Sequence, residues 1–181
     1  NGGQYTHAAI WTVIALTMSR KPERAMDVFA MLNPVRRSAT RADVQRYKVE
    51  PYAVAADVYS EPPHAGRGGW TWYTGSAGWL YRAGLEWILG SRVRENQLTL
   101  VPCLPADWPN VTLRFRHRNT PYEIIVDRQP GADALAQLTI DGHVQKAGRN
   151  TVDLVDDGVA HTVHVTWRGA VESEDIAAAR D

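Results

Sequence analysis

The run Gly66-Arg67-Gly68-Gly69-Trp70-Thr71-Trp72-Tyr73-Thr74-Gly75-Ser76-Ala77-Gly78-Trp79 joins glycines, hydroxyls and aromatic rings in a combination that packing alone does not require. Glycine lets a backbone approach a ligand closely and take positive φ. Aromatic rings offer flat apolar faces with a polar edge. Thr74-Gly75-Ser76 stands where a helix is expected to begin, and a helix start presents unpaired N–H groups to an anion. The run therefore reads as a ligand site. The competing account is that Trp70, Trp72 and Trp79 are core residues and the glycines are turns. Each buried Trp would contribute roughly 4–6 kcal/mol at about 25 cal/mol per Å² of apolar area.

Other side chains admit two readings each. His7, on the first turn of an apolar segment, is either a hydrogen-bonded structural histidine or a donor to an anion. Thr74 is either a helix cap or an anion ligand, and one hydroxyl can do both. Glu50, beside Pro51 and Tyr52, either hydrogen-bonds a ligand or pairs with Arg46 or Lys48. Trp70, Trp72 and Tyr73 are candidates to stack on a ligand, with at least one expected in the core. Arg67 is a candidate second cation or a solvated one, and His64, after two prolines, reads as structural. No acid-and-base carboxylate pair of a hydrolase is visible. No His/Cys spacing suggests a metal, and no cofactor is called for.

The chain of 181 residues is long enough to bury a core as one large or two small domains. Its 20 Lys plus Arg balance 20 Asp plus Glu, so no global field draws nucleic acid or an anionic membrane, and any anion site is local. The single Cys103 excludes an internal disulfide. The longest apolar stretch, Ala8 to Met18, is too short to span a bilayer and reads as a buried helix.

Two periods divide the chain. Ile10, Val13, Ile14 and Thr17 form one stripe and Trp11, Ala15 and Met18 another, which predicts a helix from Tyr5 to about Arg20 that is apolar nearly all round. Pro22 opens a second helix carrying Ala25, Val28, Phe29 and Leu32, closed by Asn33-Pro34. A polar stretch runs from Arg36 to Arg46. Ala53 to Tyr59 is expected to be a short buried helix, and Ser76 to Leu89 another, stopped by Gly90. After Asn96 the period becomes two. Leu98 and Leu100, then Val111, Leu113 and Phe115, Tyr122, Ile124 and Val126, Leu138 and Ile140, Val152 and Leu154, and Val163, Val165 and Trp167 predict half-buried strands. Asn119-Thr120-Pro121, Asp141-Gly142 and Asp157-Gly158 read as turns. The expected fold is α+β, with helices over 1–95, an antiparallel β-sandwich over 96–170 and a loose tail over 171–181.

Asn1-Gly2-Gly3-Gln4-Tyr5-Thr6-His7-Ala8-Ala9, Glu50-Pro51-Tyr52 with Ala55-Ala56-Asp57-Val58-Tyr59-Ser60, Pro62-Pro63-His64 and the Gly68–Trp79 run together resemble glycoside hydrolase family 94 over roughly residues 1–130. Ala55–Ser60 after Glu50–Tyr52 is more similar to the cyclic β-1,2-glucan synthase and β-1,2-oligoglucan branch than to the disaccharide phosphorylases. The resemblance implies the last helices of an (α/α)6 barrel followed by a β-sandwich. It also implies an inverting phosphorolysis in which inorganic phosphate, as co-substrate, attacks the anomeric carbon of a β-glucan while an Asp protonates the leaving oxygen.

By the matching motifs His7, Thr74 and the Gly75 N–H hold phosphate, and Glu50, Tyr52, Trp70, Trp72 and Tyr73 face the sugar. The acid and the expected arginines lie upstream of the segment matching Asn1 in that family, and Asp43, Asp57 and Asp107 match no acid motif, so no catalytic residue is assigned. Such a barrel needs about twelve helices and about four are read here. The resemblance therefore implies a C-terminal fragment whose partner is the missing upstream polypeptide. It implies a cytoplasmic site, within an inner-membrane protein if a synthase domain precedes it, and leaves a homodimer open. The alternative function is a non-catalytic glucan-binding or structural module.

Overall fold

A computed structural model of the chain describes residues 3–72, 74–131 and 133–169. Tyr73 and the tail over 171–181 therefore lie outside the described residues. The chain is a mixed α+β protein that separates into two compact units, Asn1–Ile88 and Leu89–Asp181.

In the first unit, β1 (Gly3–Tyr5) runs directly into α1 (Thr6–Met18), followed by α2 (Pro22–Leu32). Ile10 and Val13 of α1 are fully buried with Ala25 of α2. The apolar stripes of the two helices thus form the predicted hairpin. A short 3-10 turn (Arg36–Ser38) then leads to α3 (Arg41–Tyr47). Thr40 caps α3, accepting the Asp43 N–H at 3.1 Å while its hydroxyl donates to the Asp43 carboxylate at 2.6 Å.

The helix expected over Ala53–Tyr59 is absent: the segment is extended and ends in β2 (Asp57–Tyr59), antiparallel to β1 with Tyr5 opposite Asp57. Alanines supply helix propensity, but here the backbone bonds go to strands instead. The Ala56 carbonyl accepts the Thr6 N–H at 2.9 Å, and the Ala56 N–H donates to the Trp70 carbonyl at 2.6 Å. Tertiary pairing outweighs a weak local preference.

α4 spans Thr74–Arg82 and continues as a π-helical turn, Ala83–Ile88. The expected helix is thus present, two residues earlier at its start and widened at its end. Gly84 sits in that turn, where a Cβ would come within 3.3 Å of the Phe29 ring.

In the second unit, β3 (Ser91–Arg94), β4 (Gln97–Leu100) and β9 (Thr151–Asp153) form one antiparallel sheet. The second sheet is ordered β5 (Asn110–His117), β6 (Thr120–Pro130), β10 (His161–Gly169), β7 (Ala134–Ile140), β8 (His143–Val144). Both contribute to one core, with Leu98, Leu100 and Val152 beside Ile124, Val126, Val163 and Val165.

One expectation is corrected: β10 enters between β6 and β7 and runs parallel to β6, with Val163 opposite Ile124. Alternation marks which side of a strand is buried and carries no information on its partner's direction. Asp141 and Gly142 both hold positive φ, 49° and 80°, as a tight β7–β8 hairpin turn requires.

Candidate functional site

Part of the glycine- and tryptophan-rich run of the first unit is held against the β1–β2 ribbon. The loop Gly66–Trp70 lies along β2: Tyr59 N–H donates to the Arg67 carbonyl at 2.9 Å and Gly69 N–H to the Asp57 carbonyl at 2.9 Å. The Asp57 carboxylate also accepts the Trp70 N–H at 3.3 Å. A Cβ on Gly69 would fall on that same carboxylate. Gly69 is therefore a close-approach glycine, and Asp57 is the group that fixes where the tryptophan-bearing loop begins. Sequence reasoning set Asp57 aside; the available signal was an Asp opposite a double glycine.

Beyond Trp70 the chain passes through Trp72 at φ 60°, a conformation seldom taken by non-glycine residues. Its indole N–H donates to Glu50 Oε1 at 3.2 Å, and its ring meets Tyr52 edge-on with centroids 5.9 Å apart. Glu50, Tyr52 and Trp72 thus form one exposed cluster, with Glu50 bonded to Trp72. Hydrogen bonds from its own backbone N–H first, and from Trp72 next, hold the Glu50 carboxyl below the usual carboxylate range. Trp70 and Trp72 are 77% and 69% exposed, so neither is a core residue. The core member of the run is Trp79, packed against the α1–α2 cluster.

His7, the second residue of α1, stands in a second cluster. Its ring lies 4.9 Å from Trp11, edge-on, and 5.7 Å from Trp79. Trp79 is one turn beyond Gly75 on α4, and helical side chains lean toward the N-terminus of their own helix. Along the helix axis Thr74-Gly75 lies about 6 Å from Trp79. His7 Nε2 is shielded from solvent and has no hydrogen-bond partner among the described residues. The Arg82 guanidinium covers Trp79 at 5.0 Å and is paired in a fork with Glu86, both bonds 3.0 Å. Arg82 is therefore committed to the π-helical turn that continues α4.

The first of these clusters can meet a hydroxylated ring, offering an indole, a phenol and a carboxylate at one surface. The second offers, beside Trp79 of α4, an imidazole nitrogen with no partner among the described residues, which is free to meet a ligand. No group of three or more His, Cys, Asp or Glu side chains among the described residues can hold a metal ion.

Residues 1–90 match the profile of the glycosyl hydrolase 94 superfamily catalytic domain, and residues 91–130 that of the glycosyl hydrolase family 65 C-terminal domain. The chain is 54% identical over 128 residues to the cyclic beta-(1,2)-glucan synthase NdvB of Rhizobium meliloti (strain 1021), covering 71% of this chain and 4% of that protein. It is 29% identical to the solabiose phosphorylase of Paenibacillus borealis over 91% of this chain and 21% of the relative. It is 30% identical to the N,N'-diacetylchitobiose phosphorylase of Vibrio proteolyticus over 70% of this chain and 16% of the relative. The chain thus spans between 4% and 21% of the length of these three relatives.

Proposed function

The chain belongs to the glycosyl hydrolase 94 superfamily through residues 1–90, and from that premise we propose that it supplies the phosphate cradle and part of the sugar platform of a β-glucan phosphorylase or cyclic β-1,2-glucan synthase. The observation that carries this reading is His7: its Nε2 is buried with no hydrogen-bond partner among the described residues, and its ring packs on Trp79, one turn along α4 from Thr74-Gly75.

In the proposed reaction a phosphate oxygen forms a bond to the anomeric carbon as the glycosidic C–O bond breaks, and the leaving oxygen takes a proton from an acid. His7 donates to one phosphate oxygen, while the Thr74 hydroxyl and Gly75 N–H donate to others at the helix start. Glu50 accepts from a sugar hydroxyl while Tyr52, Trp70, Trp72 and Tyr73 face the rings. No residue of this chain is assigned as the acid; that group belongs to the remainder of an active protein.

The first unit is read as part of an (α/α)6 barrel. On α1 the face opposite Ile10 and Val13 carries Ala8, Trp11, Thr12, Ala15 and Met18, all exposed. A helix apolar on both sides is suited to burial between neighbours. Further barrel helices are the proposed cover, and the second unit is the trailing β-domain.

The test is release of glucose 1-phosphate from β-1,2-glucan and inorganic phosphate by a full-length protein carrying this segment. His7→Ala should lower kcat/KM for phosphate by about 10²-fold, the loss of one anion-stabilising donor. Unchanged phosphate dependence would sink the assignment. The exposed Trp70 and Trp72 also favour a second reading, a non-catalytic glucan-binding module. Binding of β-1,2-glucooligosaccharides with no phosphorolysis by the full-length protein would select it.

A further inference from the structure

Successive residues of a strand face opposite sides, so β1 presents Tyr5, leading to His7, on one side and Gln4 on the other. Gln4 lines a partly open cavity of about 340 Å³ bordered by residues of β1, β2, α1, α2 and α3 and by Arg37 of the 3-10 turn. That volume lies at the lower end of the ~300–1,000 Å³ found for small-molecule sites, and is far above the ~30 Å³ that one water takes in the liquid. Its walls include the apolar side chains of Val28, Leu32 and Val58, and its polar groups include Gln4, Arg37 and Tyr47.

Two of these polar groups have unused capacity. Gln4 Nε2 is shielded from solvent and has no hydrogen-bond partner among the described residues. A buried amide with unmade donor bonds is costly unless an acceptor reaches it. Arg37 is exposed, and its Nε is fixed by donation to the Met31 carbonyl at 2.8 Å. That bond leaves the terminal edge of the guanidinium, two parallel N–H vectors matched to a carboxylate. Tyr47, also in the lining, is 4% exposed, and burial raises its phenol above the ordinary value, opposed by a backbone hydrogen bond at Ala55 and by the charge of Arg37.

We propose that this cavity binds a small amphipathic carboxylate. An apolar ring packs on Val28, Leu32 and Val58, a hydroxyl or carbonyl oxygen accepts from Gln4 Nε2, and the carboxylate meets Arg37. The site lies behind the ribbon from His7 and is independent of the reading of phosphorolysis.

The probe is 4-hydroxybenzoate, titrated by calorimetry into the full-length protein, with 4-hydroxybenzyl alcohol and phenyl phosphate as comparisons. One saturable site per chain is expected, preferring the carboxylate to both comparisons. Gln4→Leu and Arg37→Gln should each weaken it about tenfold, the effect of one lost hydrogen bond, buried at Gln4 and charge-assisted at Arg37. His7→Ala should leave it intact even if phosphorolysis is lost or was never present.

Gln4→Glu, close in shape but negative, should abolish binding of the acid while retaining that of the alcohol. Arg37→Gln alters an exposed side chain and carries the test if the Gln4 variants do not fold. Absence of a saturable site, equal affinity in Arg37→Gln, or displacement by inorganic phosphate together with loss in His7→Ala would overturn the assignment. A preference for phenyl phosphate would replace the carboxylate with a phosphate ester and overturn it as stated.

Discussion

Gly69 shows how one missing methyl group shapes the site. Because a Cβ there would fall on the Asp57 carboxylate, Gly69→Ala must push Asp57 off the Trp70 N–H. We expect a cost of about 1–3 kcal/mol, the range for overpacking or for stranding a polar group, measured by thermal unfolding. Asp57→Ala removes the acceptor without forcing a clash and should cost less. Trp72→Phe isolates a different bond. It keeps a ring beside Tyr52 but removes the indole donor to Glu50, so the Glu50 carboxyl should rise toward its ordinary value in an NMR titration. An unchanged Glu50 titration would contradict the bond.

At the scale of elements, the joint between β6, the β7–β8 turn and the start of β10 depends on His161. Its Nδ1 meets Asp141 at 2.7 Å and its Nε2 meets Asp157 at 3.2 Å. A neutral imidazole has one N–H and cannot donate to both carboxylates, so this geometry calls for the charged ring. The Asp141 bond first, and the Asp157 bond behind it, raise the His161 pKa above the ordinary 6.5. Bonds from His161 to Asp141, and chiefly from the Val159 N–H to Asp157, lower both acids.

The signs follow by linkage. The histidine contribution is complete below 6.5 and fades as pH rises through the raised folded value. The carboxylate contribution is complete above their ordinary 3.8 and fades as pH falls through their lowered values. Thermal stability of this joint should therefore peak in mildly acid solution and decline toward alkaline pH. Asp141→Asn should bring the His161 titration back toward its ordinary value and flatten the alkaline decline; NMR titration of His161 checks both.

Elements were legible where an apolar period and a stop signal coincide. The α1–α2 hairpin, bounded by Pro22 and Asn33-Pro34, is such a case, and so is the alternation of Tyr122, Ile124 and Val126. α3 was missed although Thr40 and Asp43 form a reciprocal cap, because its seven residues carry too few apolar positions to show a period. The Ala53–Tyr59 segment was misread because helix propensity is local and ladder pairing is not. β3 was passed over because four residues are too few to establish alternation.

For the whole molecule, the legible part was the pairing of a helical unit with a β unit, together with the residues that carry the family resemblance. The settings of Gln4 and Asp57 were not legible, since they come from what the folded ribbon places against them. The exposed stripe on α1 is a whole-molecule feature too. Replacing Trp11 with Glu places a charge in that stripe, and if further helices cover it, a full-length protein should lose stability by about 2–4 kcal/mol, as for a charge buried without a partner. A change within about 0.5 kcal/mol, as at an ordinary surface position, would contradict the proposed cover.

The central claim is that phosphate and sugar are held by separate groups of residues in this segment. Steady-state phosphorolysis by the full-length protein, with phosphate and glucan varied independently, tests it most directly. His7→Ala and Thr74→Val should raise the KM for phosphate about tenfold or more while shifting the glucan KM little, and Glu50→Gln should do the reverse. Loss of phosphate affinity in Glu50→Gln with none in His7→Ala or Thr74→Val would contradict the account.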